Sequence, residues 1–147
     1  MLQNTSTTEY KHKLFVERVA EFGVAWALES DDSFATSGSN DFEDAKVIPF
    51  WSDEAYANAL SKEEWEDYTA APIPLAEFLE NWLIGMYNDG LIVGTNWDAN
   101  MFGKEIEPLE LALELANELT IKGKTVALNK YKDMADFQTQ VKQALEG

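Results

Sequence analysis

Between Pro74 and Gly90 six apolar side chains, Leu75, Phe78, Leu79, Trp82, Leu83 and Met86, recur at i, i+3, i+4, i+7, i+8 and i+11. That is the repeat of one helical face, punctuated by proline at its start and glycine past its end. A stripe this wide needs a sheet or another helix to lie on. Leu91-Ile92-Val93 follows at once, a β-branched run that reads as a strand and continues into Gly94-Thr95-Asn96. A second helix begins near Pro108. Its Leu109, Leu111, Leu113, Leu115 and Leu119 occupy more than one face, which implies a sheet on one side and another element on the other.

The rest of the chain supplies the partners. A first helix is expected over about 8–21 with His12, Phe15, Val16 and Val19 inward. Gly23 breaks it, and Val24 to Leu28 reads as a buried strand that turns through Glu29-Ser30-Asp31-Asp32 into a hairpin strand over 33–37. Lys46 to Phe50 is a further strand, with Pro49 near an edge or at the strand's end. Ser52 caps a helix through Leu60, and Ser61 with Glu64 has the spacing of a capping box ahead of a short helical piece carrying Trp65. The chain re-extends over 69–73, and Trp97 to Lys104 reads as a polar loop. Near the end, Val126-Ala127-Leu128 precedes an amphipathic helix carrying Met134, Phe137, Val141, Ala144 and Leu145.

These elements predict an α+β fold: a small, mainly antiparallel sheet packed by helices, with an acidic domain over 1–119 and a C-terminal helical extension over 120–147. A length of 147 residues suits one compact domain. The last helix is expected to dock, in cis or on a second copy, which leaves a homodimer open.

Composition removes most chemistries. There is no cysteine, hence no disulfide, thiolate nucleophile or cysteine-ligated metal. The single histidine, His12, lies beside Phe15 and Val16 and reads as structural or solvent-facing, so no nucleophilic triad is expected. The segment from Asp98 to Gly103 opens like an EF-hand loop, but Phe102 stands at the fifth position and Leu109 at the twelfth, where calcium needs oxygen ligands. It reads as a connecting loop with Asp turn chemistry. Gly90, Gly94 and Gly103 lack the spacing of a phosphate cradle and read as caps and turns, and Ser37-Gly38-Ser39 lacks the nucleophile-elbow pattern. No metal and no cofactor are expected.

The net charge is −16, and the first 117 residues carry −17 of it. Such a field repels phosphate, so neither nucleic acid nor membrane is an expected partner. The N-terminal stretch has no apolar signal region and no segment reaches the length of a membrane span, so the expected location is cytoplasmic.

Several stretches carry a resemblance to a known family: Phe15-Val16-Glu17-Arg18-Val19, Trp26-Ala27-Leu28, Val47-Ile48-Pro49-Phe50-Trp51-Ser52, Ile73-Pro74-Leu75-Ala76-Glu77-Phe78-Leu79, Trp82-Leu83, Asp89-Gly90-Leu91-Ile92-Val93-Gly94 and Glu107-Pro108-Leu109-Glu110-Leu111. In this order the chain resembles the bacterial domain-of-unknown-function 2750 family over about two-thirds of its length. A fainter likeness is to the N-terminal module of enhanced-serine-sensitivity-type proteins, through a strand-Pro-aromatic-Ser-helix step and a later Leu-Ile-Val strand. The resemblance implies an α+β fold and carries over no catalytic residue.

Function is then read by elimination as a non-catalytic interaction module, of inhibitor, immunity or adaptor type, that presents an acidic face to a basic protein. The flanks from Glu29 to Asp44 and from Asp53 to Asp67 supply the acids, with Asp41, Glu43 and Asp44 as binding candidates. Trp51, Trp65 and Trp97 fall at element ends or in polar contexts. Trp51 and Trp65 are therefore candidate anchors at a binding surface, against the alternative that they close the core. The competing class is a small-ligand binder or enzyme using carboxylates such as Glu64, Glu66 and Asp67 near Trp51 and Trp65, which a deep pocket joining them would favour. With one histidine and a broken calcium pattern, the melting temperature should be unchanged by chelators or by micromolar zinc or calcium. A chelator-induced fall of several degrees would overturn that expectation.

Overall fold

The computed structural model describes residues 5–31, 33–39, 44–61 and 65–147. Helix α1 (Thr5–Phe22) stops where Gly23 turns left-handed at φ 71°, and the Gly23 N–H closes on the Val19 carbonyl at 2.9 Å. Strand β1 (Val24–Ser30) follows and buries Ala25, Ala27 and Leu28. It returns as β2 (Ser33–Phe34), which is shorter than the expected 33–37 strand because pairing ends at Glu29↔Phe34. Beyond that point the chain crosses to a second sheet as β3 (Ser37–Gly38). Along the other edge of β1 lies β5 (Thr69–Pro74), antiparallel from Val24↔Pro74 to Glu29↔Thr69.

Among the described residues the strands form two sheets rather than the single expected one, the first ordered β2-β1-β5 and the second placing β3 beside β4 (Lys46–Phe50), then β6 (Ile92–Thr95), then β7 (Lys104–Ile106). In the second, β4 and β6 run parallel, while the pairings of β3 and of β7 are antiparallel. Strand β7 begins on Lys104, the last residue of the stretch read as a polar loop, and its three residues are too few for an alternation to show. Pro49 sits inside β4, between the β3 pairing at Lys46 and Val47 and a bridge at Trp51. It keeps its place opposite Gly94 of β6, while on the β3 side, where pairing has already ended, no ladder partner needs the N–H it lacks. The bridge joins the sheets: Trp26 and Trp51 each donate a backbone N–H to the other's carbonyl at 2.8 Å.

Helix α2 (Glu54–Ser61) links β4 toward β5. Ser61 is its last residue, and its Oγ donates to the Asn58 carbonyl at 2.8 Å, so it ends this helix instead of starting another. Glu64 lies outside the described residues. The Pro74 stripe forms a rod of α3 (Leu75–Glu77), a π-helical stretch (Phe78–Leu83) and α4 (Ile84–Asp89). Gly90, at φ 71°, ends it with paired bonds from Leu91 N–H to the Met86 carbonyl at 2.9 Å and from its own N–H to Tyr87 at 3.2 Å. Five of the six stripe residues are buried and Trp82 is partly so. Phe50 receives Phe78 and Trp82 edge-on at 4.9 and 5.6 Å, which joins the second sheet to the rod.

Helix α5 (Pro108–Lys122) buries leucines on several sides, as its pattern requires. Helix α6 (Met134–Glu146) completes the core from its other side, with Phe137 and Val141 buried in the same apolar cluster as Phe15, Phe78 and Leu115. The last helix therefore docks in cis. Its approach is held by Glu80, a buried carboxylate on the π-helical stretch whose Oε1 accepts the N–H groups of Asn129 at 2.7 Å and Lys130 at 2.5 Å. No helix among the described residues is long and apolar enough to cross a membrane. Phe137→Ala should cost about 3–5 kcal/mol in chemical denaturation, whereas Leu145→Ala at the exposed edge of α6 should cost about 0.5 kcal/mol or less. Equal losses would mean that α6 does not dock through Phe137.

Candidate functional site

Strands β4 and β6 run parallel and end side by side, at Phe50 and Thr95. Asn96 follows β6 in a left-handed conformation, φ 49°, which asparagine tolerates better than most residues. Its N–H donates to the Phe50 carbonyl at 3.0 Å. Its side-chain Oδ1 accepts the Ser52 N–H at 2.9 Å, and Nδ2 donates to Ser52 Oγ at 3.1 Å and to the Lys11 carbonyl at 3.3 Å. Ser52 in turn donates its hydroxyl to Asp53 Oδ1 at 2.6 Å. Arg18 grips Asp53 with two prongs, Nε to Oδ1 at 2.7 Å and Nη2 to Oδ2.

This chain of bonds from Arg18 through Asp53 and Ser52 to Asn96 ties α1 to both strand ends. It also corrects the expected cap. Ser52 is committed to Asn96 and Asp53, and the Asp53 carbonyl receives the first N–H groups of α2, from Tyr56 at 3.1 Å and Ala57 at 3.3 Å. Burial alone would raise the Asp53 carboxyl, but the Arg18 fork and the Ser52 hydroxyl outweigh it and hold the group below the ordinary aspartate value.

His12 is buried and structural. Its Nδ1 lies 2.9 Å from Thr95 Oγ1 and its Nε2 2.5 Å from Glu114 Oε1, a pairing with a carboxylate that assigns the proton to Nε2. The order Thr95, His12, Glu114 imitates a nucleophile relay, yet Thr95 is wholly buried within β6 and presents no hydroxyl to a substrate. Sequence spacing gave no hint of this set, because its members come from three separate elements.

The tryptophans correct a larger expectation. Trp51 is 0% exposed, Trp97 3% and Trp65 9%, so all three close the core. Trp51 Nε1 donates to the Trp97 carbonyl at 2.9 Å, and its ring meets Trp65 edge-on at 6.2 Å. Trp97 lies against Gly94 and Gly103. A Cβ on either would stand 2.6 or 2.1 Å from its ring, so these glycines are there for close approach and not simply as caps and turns.

Of the acidic candidates, Asp41 and Glu43 lie outside the described residues. Asp44 is exposed in a left-handed turn, φ 62°, ahead of β4. The register Glu29↔Thr69 brings the hairpin turn at Asp31 and the turn carrying Glu66 and Asp67 to the same end of the first sheet. Among the described residues, none of Glu29, Asp31, Asp44, Glu66 and Asp67 has a lysine or arginine within ion-pair distance, and several described cations pair elsewhere, as in Lys11–Asp98, Lys104–Glu9 and Lys124–Glu21. Among these residues, too, no group of three histidine, aspartate or glutamate side chains could hold a metal ion.

A pocket of about 390 Å³ opens near these strand ends, lined by Tyr10, Lys11 and Leu14 of α1, Tyr56, Ala59 and Leu60 of α2, and the loop from Asn96 to Ala99. Neither Trp51 nor Trp65 lines it. Asp98 does adopt the expected turn chemistry, its Oδ1 accepting the N–H groups of Asn100 at 2.9 Å and Phe102 at 3.2 Å.

The model of a family of proteins of unknown function, DUF2750, matches residues 12–115. The chain belongs to the DUF2750 family. No curated protein and no solved structure matches it. The DUF2750 region includes the whole bond chain from Arg18 to Asn96, together with His12, Thr95 and Glu114, while Tyr10 and Lys11 of the pocket precede it and α6 follows it.

The lowered Asp53 value sets a sign. The folded protein gives up this proton more readily than the unfolded chain, so the stabilisation is complete above about pH 4 and is lost as pH falls through the folded value. Asp53→Asn should lower stability at neutral pH and flatten its decline between about pH 5 and pH 2. Denaturation profiles that stay parallel for the two proteins would disprove the assignment.

Proposed function

We propose that this DUF2750 protein is a non-catalytic recognition module that binds a basic protein through the acidic end of its first sheet. One observation carries the reading: two acidic stretches more than thirty residues apart in sequence, Glu29 with Asp31 and Glu66 with Asp67, converge through the β1–β5 register with no cation paired to them among the described residues. The antiparallel sense of the Trp26–Trp51 bridge directs the start of β4, and Asp44 with it, toward that same end. Converging carboxylates without countercharges repel one another and concentrate a negative field. Basic groups relieve that repulsion on binding, and the field chiefly speeds association.

Trp51 and Trp65 support this end from within. Their cluster with Leu28 and Ala35 packs Tyr68 and Ala70, so they stiffen the sheet end and do not themselves reach a partner. The same field disfavours nucleic acid and anionic membrane.

The test compares two triple neutralisations of equal charge change, Asp31→Asn/Glu66→Gln/Asp67→Asn at the sheet end and Glu77→Gln/Asp89→Asn/Glu110→Gln on the helices. Proteins captured from the native host should be richer in lysine and arginine than its proteome. The sheet-end variant should lose them, with association slowed about tenfold at low salt, while the helix variant keeps them. Equal losses by the two variants, or captured proteins of average charge, would overturn the proposal.

A further inference from the structure

We propose that the pocket between α1, α2 and the loop after β6 is a binding site for a small apolar amine, an aromatic or aliphatic body carrying one ammonium group. This site is separate from the acidic sheet end and does not depend on a protein partner. Its volume, about 390 Å³, falls within the range of small-ligand sites, roughly 300–1,000 Å³. Leu14, Ala59 and Leu60 supply apolar wall, and the rings of Tyr10 and Tyr56 remain 65% and 42% exposed beside them. Exposed phenol faces of this kind attract cations as well as apolar groups.

The polar groups of the pocket decide the sign of the ligand's charge. Asn96 is buried, with both Nδ2 hydrogens donated to Ser52 and Lys11 and its Oδ1 accepting the Ser52 N–H, and the Trp97 carbonyl accepts from the Trp51 indole. Lys11 Nζ donates to the Phe102 carbonyl at 2.8 Å and more loosely to Asp98 Oδ2 at 3.3 Å. With its side chain only 19% exposed, the lysine offers little to an anion. Asp98 differs. Its Oδ1 is fixed by two backbone N–H groups, whereas Oδ2 meets only the long Lys11 contact and the side chain is 45% exposed. A carboxylate has about four acceptor positions, so one on Oδ2 stays open to a donor from solvent. An ammonium group at Oδ2 with its apolar body between the tyrosines satisfies both features, and the net charge of −16 favours it further.

Phenethylamine, 2-phenylethanol and phenylacetate share one ring and differ in charge, and they are titrated into the full chain while backbone amide NMR shifts are followed. Shifts should centre on Tyr10, Asn96 and Ala99, with phenethylamine binding at least tenfold tighter than phenylacetate and the alcohol between them. Asp98→Asn keeps an oxygen for the Asn100 and Phe102 N–H groups and should shrink the amine's advantage to about threefold or less. Lys11→Met, which frees Oδ2, should instead tighten phenethylamine several-fold. Neutralising Asp31, Glu66 and Asp67 should leave the shifts in place, which separates this site from the protein-binding reading. Shifts centred elsewhere, phenylacetate binding as tightly as phenethylamine, or an unchanged preference in both pocket variants would overturn the proposal.

Discussion

Trp51 is held from two directions, by the pair of 2.8 Å backbone bonds it exchanges with Trp26 and by the bond from its indole N–H to the Trp97 carbonyl. The first joins the two sheets. The second joins β4 to the loop after β6, since Trp97 lies between Gly94 and Gly103 where no larger residue could stand. These contacts set where β4 ends relative to β6, and so where Ser52 meets Asn96 and where the pocket opens. A fully buried tryptophan whose N–H is satisfied contributes both a large apolar area and a directional bond, and removing either would leave the other exposed or unpaired.

The chain must also bury carboxylates although it carries few cations. It pairs Arg18 with the partly buried Asp53 and satisfies its more deeply buried acids with neutral donors. Glu80 takes two backbone N–H groups, and Glu105 takes the hydroxyl of Ser39. Bonds to a charged acceptor are worth about 1.5–3 kcal/mol each, enough to offset much of the cost of burial. Using amides and hydroxyls in the interior leaves the surface strongly negative, which is the property that both proposed binding surfaces use. The π-helical stretch matters here because it carries the one buried acid that fastens the approach to α6.

Much of the architecture was legible as local pattern. Helix stripes at 75–86 and 134–145, the stop at Gly90 and the strands at 24–28, 46–50, 69–73 and 91–93 each follow from periodicity and punctuation within a few residues. Short or oddly connected pieces escaped. β7 has three residues, β2 and β3 have two each, and the division into two sheets depends on which strand edges meet. The site was less legible still. Asp98 announced its own turn, but the Arg18–Asp53–Ser52–Asn96 chain joins α1 to two separate strand ends, and nothing in the spacing of those residues marks them as neighbours.

By itself, then, the sequence determined the α+β class, the order of helices and strands, the lack of cysteine chemistry and the acidity, because these depend on composition and on forces acting within one or two turns of chain. Tertiary structure alone decided that Trp51, Trp65 and Trp97 are buried, that His12 is spent on Thr95 and Glu114, and that two distant acidic stretches share one end of a sheet. Burial and pairing belong to the surfaces a residue meets. A tryptophan at the end of a strand looks the same in sequence whether it faces water or lies under a loop that returns some forty-five residues later.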